Sequence, residues 1–226
     1  MGFLDSIFAF PMDVLPFILV VILIAFTFHE FAHAYTAYKF GDPTAKMLGR
    51  VTLNPASHIE LFGTIMILLL GFGWARPVPV NRDNFSKPRL MGIIVSLVGP
   101  LSNLLIGFIA TIVYVALINA GVIGGEGDSR FQVAVQLFLY YLSILNIGLF
   151  LFNLLPLPPL DGYRIVEDLV PRRIRPMLQQ YEQWASLIFL LFVFVPPLRA
   201  VTIAPLYGLI YHIFHAFTQL YLSLFG

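Results

Sequence analysis

The chain has 226 residues, 59% of them hydrophobic and only 11% charged, where a soluble domain carries roughly 25% charged residues. A net charge of +1 leaves no basic surplus to neutralise phosphates and argues against nucleic-acid binding. There are no cysteines, so disulfides, thiolate metal sites and cysteine nucleophiles are excluded, and any metal must be held by His and carboxylates.

Several apolar stretches approach or exceed the roughly 20 residues a helix needs to cross a bilayer, more than a domain of this size could bury. The chain therefore reads as an all-α polytopic membrane protein, a bundle of about five to six transmembrane helices with a small membrane-associated β region and a re-entrant segment. No repeat, low-complexity tract or long linker divides it, so residues 1–226 read as one integral membrane domain. Its N-terminus has neither a basic n-region nor a small-residue cleavage site and does not read as a cleavable signal peptide.

The first helix is expected over about 14–38, ended by Gly41, Asp42 and Pro43. A β and re-entrant region follows over about 44–85. Within it, MLGRVTLN (47–54) alternates enough to predict a strand bounded by Pro55. Residues 61–74 are apolar but short and interrupted by glycine, as in a segment that dips and returns. ARPVPVN (75–81) is excluded from a helix by Pro77 and Pro79 and is expected to be an extended edge. Full spans are expected over about 90–119 and 131–155, the latter stopped by the proline-rich turn 156–159 that leads to the Leu-Asp-Gly turn ending at 162. A C-terminal hairpin over about 184–225 would bend at Pro196 and Pro197.

Orientation follows from lysine and arginine. The segment before the first helix has Asp5 and Asp13 and no basic residue, whereas Lys39, Lys46, Arg50, Arg76, Arg82, Lys87 and Arg89 lie in 39–90. Arg164, Arg172, Arg173 and Arg175 follow the later span. If 61–74 re-enters, every basic segment falls on one side, the cytoplasm, with the N-terminus outside.

The chemistry is carried by His29-Glu30-Phe31-Ala32-His33, an HExxH pattern. Residues four apart on a helix lie about 40° apart around the axis and about 6 Å along it, so both imidazoles can face one metal. Catalytic zinc commonly uses three protein ligands and leaves a fourth position to water, from which Glu30 can take a proton and later give it to the leaving amine. Three ionisable side chains about 14 Å inside the end of an apolar helix are costly without a cation to compensate them. Candidates for the third ligand are His58, Glu60, Asp161, Glu167 and Asp168. Position favours Asp161, at the end of a span and before Gly162, where it could equally be a helix N-cap.

Three motifs in this order resemble the site-2 protease family of intramembrane zinc metalloproteases. They are HEFAH in a hydrophobic helix, Gly99-Pro100-Leu101-Ser102-Asn103, and NLLPLPPLDG at 153–162, together covering about residues 14–165. The likeness is to a compact bacterial-type member without a PDZ or CBS domain. It implies that His29, His33 and Asp161 bind one Zn2+ per chain and that Glu30 is the general acid/base. It also implies that Asn153 helps hold the substrate or the developing oxyanion, and that Asn103 packs the core helices and lines the site. His58, beside the apolar insertion at 61–74, could donate to the transition state or add a ligand, or cap the following helix. His212 and His215, three apart on the last span, could pair on a metal or sit on an aromatic helix face.

The function these readings imply is a multi-pass cell-membrane endopeptidase that cleaves a transmembrane protein substrate in or near the bilayer, with its active site toward the cytoplasmic side. A non-proteolytic metal-binding scaffold or chaperone is the alternative, disfavoured because such a protein would not need Glu30. A zinc transporter would need polar ligands across the whole bilayer, whereas the ionisable groups cluster at one depth.

Overall fold

The computed structural model describes residues 9–71, 73–171 and 173–226, with backbone alone described at 181–183, 185, 186 and 193. Asp5 and Arg172, which enter the charge count, and Phe72 lie outside them. The described residues form nine α-helices and no strand.

Helix α1 (Leu15–Lys39) begins with Pro16 in its first turn, where the missing N–H costs nothing, and ends as the Asp42 N–H turns back to the Ala37 carbonyl at 3.0 Å. The short α2 (Thr44–Met47) follows, then a 3-10 turn at Pro55–Ser57 and α3 (Leu61–Leu70), which is capped by Glu60 accepting from Phe62 and Gly63 N–H. At ten residues α3 is about 15 Å long, half of a hydrocarbon core about 30 Å thick.

Helix α4 (Pro88–Asn119) contains Pro100, which removes one donor from its ladder. Helix α5 (Arg130–Asn153) is started by a capping box in which Ser129 and Gln132 bond each other's backbone. The chain then enters α6 (Asp161–Leu169), α7 (Arg175–Phe194), α8 (Pro196–Thr202) and α9 (Ala204–Phe225). Pro196 and Pro197 do stand at the break after α7. That helix starts nine residues before the expected hairpin, because its polar first half, RPMLQQYEQW, gave no membrane signal.

Four stretches of the described residues are long and apolar enough to cross a membrane: α1, α4, α5 and Pro196–Phe225. Among them α1, α4 and α5 pack on one another, and α9 packs on α4 and α5. Lipid tails are as apolar as leucine, so such contacts depend on close fit rather than on the hydrophobic effect. Gly107 of α4 supplies it, bringing the α4 backbone close to Ser143 and Ile147 of α5.

The expected β region is not formed by the described residues. Residues 47–54 instead complete α2, turn, and run irregularly into the 3-10 turn. Residues 73–80 form neither helix nor strand; Pro77 and Pro79 keep the segment out of a helix. Their backbone is held by other groups. The Arg76 N–H donates to the His58 carbonyl at 2.8 Å, the Arg50 guanidinium takes the carbonyls of Arg76 and Pro77, and the Val78 N–H donates to Glu30 at 3.0 Å. Pro77 and Pro79 remove the alternate donors a ladder would need.

Candidate metal centre

His29 and His33 stand one turn apart on α1, both buried, and face the first residue of α6. Asp161 Oδ2 lies 3.1 Å from His29 Nε2 and 3.2 Å from His33 Nε2, and the two Nε2 atoms are 3.1 Å apart. Among the described residues these three form the one group of metal-ligating side chains whose donor atoms lie this close together.

The tautomer of each ring is set by the partner of its other nitrogen. His29 Nδ1 is 2.7 Å from Asn103 Oδ1, and the Asn103 amide is oriented because its Nδ2 donates to the Ala25 carbonyl and to Asn146 Oδ1. His33 Nδ1 donates to the Val95 carbonyl at 2.6 Å. With Nδ1–H committed on both, each ring in its neutral form would turn the Nε2 lone pair toward Asp161. Three lone-pair donors converge on one point, which is the arrangement a cation would relieve. Ligands of a tetrahedral zinc site, with bonds of about 2.0–2.1 Å, lie about 3.3–3.4 Å apart, close to the separations found. The donor set fits zinc.

Two glycines make the convergence possible. A Cβ on Gly99 would lie 2.2 Å from His33 Nε2 and 2.9 Å from His29 Cε1, so the imidazoles rest directly on the α4 backbone. A Cβ on Gly162 would lie 2.3 Å from the Leu154 carbonyl oxygen, so only glycine lets α6 start hard against the end of α5 and turn Asp161 inward.

Helix α6 is also tied down at its other end. Arg82 pairs with Glu167 at 2.9 Å and with Asp168 at 3.1 Å, while Arg175 holds the second Asp168 oxygen at 2.9 Å. Burial pushes the Glu167 carboxyl up, but hydrogen bonds from Arg82 and Gln179 bring it below its ordinary value. For Asp168 burial wins over both arginines, and its pKa is raised. These two carboxylates and Glu60, the α3 cap, were third-ligand candidates, and each has other work.

Glu30 is buried next to His29, with one carboxylate oxygen accepting from Val78. Asp42 anchors the same overlying segment. It is fully buried and accepts from Thr44 N–H at 3.1 Å, Asn81 N–H at 2.7 Å and Asn84 Nδ2 at 2.8 Å. Burial pushes its carboxyl up, yet these donors lower its pKa overall. Asn153 ends α5, and among the described residues its one side-chain hydrogen bond is Nδ2 to the Leu149 carbonyl. His58 is fully buried, bonded through Nε2 to the Thr52 carbonyl at 2.7 Å, and is not in the metal-ligating group. His212 donates to Gly208 within its own helix, and neither it nor His215 joins such a group.

Sequence reading alone missed Asn146, Asp42, Arg82 and the Val95 carbonyl. A polar residue in an apolar span was the available signal for Asn146; the other three carry none without the fold.

The sequence profile of Peptidase family M50 matches residues 17–129 and 118–196. A Bacillus subtilis protein named "Putative zinc metalloprotease YwhC" is 48% identical over 203 residues, covering 90% of this chain and 91% of that protein. Proteins named "Putative zinc metalloprotease Rip2" match at 30% identity in Mycolicibacterium smegmatis, over 81% of this chain and 69% of that one. The Mycobacterium tuberculosis protein of that name matches at 31%, over 77% of this chain and 65% of that one. No solved structure matches. With its profile match running from residue 17 to 196 and a relative aligned over nine-tenths of both chains, the protein belongs to peptidase family M50, the family of the site-2 proteases.

Proposed function

We propose that the chain is an intramembrane zinc endopeptidase that hydrolyses peptide bonds within or near transmembrane segments of other membrane proteins. The observation that carries this reading is the convergence of His29 Nε2, His33 Nε2 and Asp161 Oδ2 within 3.2 Å beside Glu30, on a helix of membrane-crossing length. The names of the relatives agree with it.

In this reading His29, His33 and Asp161 hold one zinc ion. When bound, zinc supplies Lewis acidity, which polarises a peptide carbonyl and acidifies water. Glu30 takes the proton from the attacking water and delivers it to the leaving amine. Its bond from Val78 holds one oxygen in place and leaves the other to move that proton. Asn103 keeps His29 in the tautomer that offers Nε2. Asn153 holds the substrate backbone or the developing oxyanion, and its bond to Leu149 leaves its amide oxygen and second N–H for that role. His58 contributes by supporting the 73–80 segment through its carbonyl rather than as a ligand.

The protein lies in the cell membrane with this site toward the cytoplasm and the N-terminus outside. The run of lysine and arginine in 39–90 and the shortness of α3 support that orientation. A reporter transmembrane substrate incubated with the purified protein and with Glu30→Gln tests the reading. Cleavage by the first and not the second upholds it; equal cleavage, or none, removes it.

A further inference from the structure

A cavity of about 510 Å3 opens beside the 73–80 segment that touches the catalytic carboxylate, lined by Arg50, Arg76, Ser57, Pro77 and Pro79 among others and, among the described residues, by no acidic one. Pro77 and Pro79 bracket Val78, whose N–H bonds Glu30, so cavity and carboxylate share three residues of backbone. A buried arginine, Arg50, and an exposed one, Arg76, both line it. Arg50 is 6% exposed, donates from its terminal nitrogens only to the Arg76 and Pro77 carbonyls, and has a buried Nε with no partner among the described residues. Neither arginine has a carboxylate within ion-pairing distance among the described residues.

A buried guanidinium hydrogen-bonded only to neutral carbonyls, with Glu30 acting on it from beyond ion-pairing distance, recovers only part of the cost of its desolvation. Burial lowers the Arg50 pKa, Glu30 offsets this only in part, and Arg76 adds repulsion. An anion in the cavity would answer both arginines at once. Its planar, two-oxygen form would suit the guanidinium fork.

Resting on the proteolytic reading above, we propose that this cavity is a subsite for a carboxylate side chain of the peptide substrate, an Asp or Glu close to the cleaved bond. Two residues of backbone span at most about 7 Å, which bounds the offset of Arg76 from Val78 along the chain. That offset places the favoured acidic residue within about three positions of the scissile bond. A peptide is favoured over a lipid phosphate because the cavity wall is the same backbone that contacts Glu30.

Reporter transmembrane substrates carrying Glu, Gln or Lys at each of three positions on either side of the cleaved bond, in lipid-free detergent, test this. The wild type should prefer Glu over Lys about tenfold in kcat/KM at one position, the size expected of a hydrogen-bonded charge pair. The preference should reside in KM and shrink with salt. Arg76→Gln should abolish it and Arg76→Glu should reverse it. A ratio taken within each variant is unaffected by the yield of folded protein. Binding of fluorescent Glu and Lys peptides to Glu30→Gln should rank the same way without turnover. A ratio near one at every position, or one untouched by both Arg76 variants, overturns the subsite while cleavage itself upholds the protease. Phosphatidylglycerol binding that depends on Arg76, with peptide binding indifferent to charge, assigns the cavity to lipid and overturns the proposal. No cleavage above that of Glu30→Gln removes the protease reading, and the subsite with it.

Discussion

Gly99→Ala is the smallest perturbation that should empty the metal centre. The new methyl would stand 2.2 Å from His33 Nε2 and 2.4 Å from His33 Cε1, where ordinary contacts begin near 3.4 Å. Either the His33 ring or the α4 backbone must therefore give by about 1.2 Å. The ring cannot swing away cheaply, since its Nδ1–H is held by the Val95 carbonyl one turn earlier on the same helix. Metal–ligand distances tolerate about 0.2 Å, so a shift of this size removes one ligand from the set. Overpacking should also destabilise the fold by about 1–3 kcal/mol. Loss of ordered support around a ligand alone costs about 10–100-fold in affinity, and displacing the ligand should cost at least the upper end of that range. Zinc affinity is read by competition with a chelating dye on protein purified in detergent, with circular dichroism to confirm that the helices persist. A helical Gly99→Ala variant that binds one zinc within about threefold of wild type would refute the packing of both imidazoles against Gly99.

Asn103→Ala should weaken zinc about 10–100-fold by freeing the His29 ring and its tautomer, while leaving circular dichroism unchanged; dye competition reads it. Arg82→Met should lower thermal stability by about 3 kcal/mol, because Glu167 and Asp168 remain buried with one partner fewer, and it should loosen zinc by unfastening α6. Asp42→Asn should cost about 1–3 kcal/mol in thermal unfolding. Since the folded Asp42 pKa is depressed, its contribution is present above the unfolded value near pH 4 and fades as pH falls through the folded one. The variant and the wild type should therefore converge in stability at low pH.

The helical frame was legible because its signals are local. Apolar runs set α1, α4 and α5 to within a few residues, and Pro196–Pro197 marked a break. HExxH spacing found two ring nitrogens for the same reason, since a helix turn is a property of sequence distance. Asp161 could only be one candidate among several. Its choice depends on Gly162 meeting the Leu154 carbonyl and on Arg82 reaching α6 across 85 residues, both tertiary facts. The β region failed differently. The prolines correctly excluded a helix at 75–81, but what that backbone pairs with is decided by Arg50, Glu30 and His58 arriving from elsewhere. The polar start of α7 shows the opposite limit, a helix made by residues that carry no membrane signal.

Zinc content and cleavage of a reporter transmembrane substrate, measured together on wild type, Glu30→Gln and Asp161→Ala in detergent, bear most directly on the central claim. The wild type should hold one zinc per chain and cleave. Glu30→Gln should keep the zinc and lose at least about a hundredfold in rate, and Asp161→Ala should lose both. Zinc retained at full affinity in Asp161→Ala, or cleavage undiminished in Glu30→Gln, would contradict the assignment of the His29, His33 and Asp161 cluster as the catalytic centre.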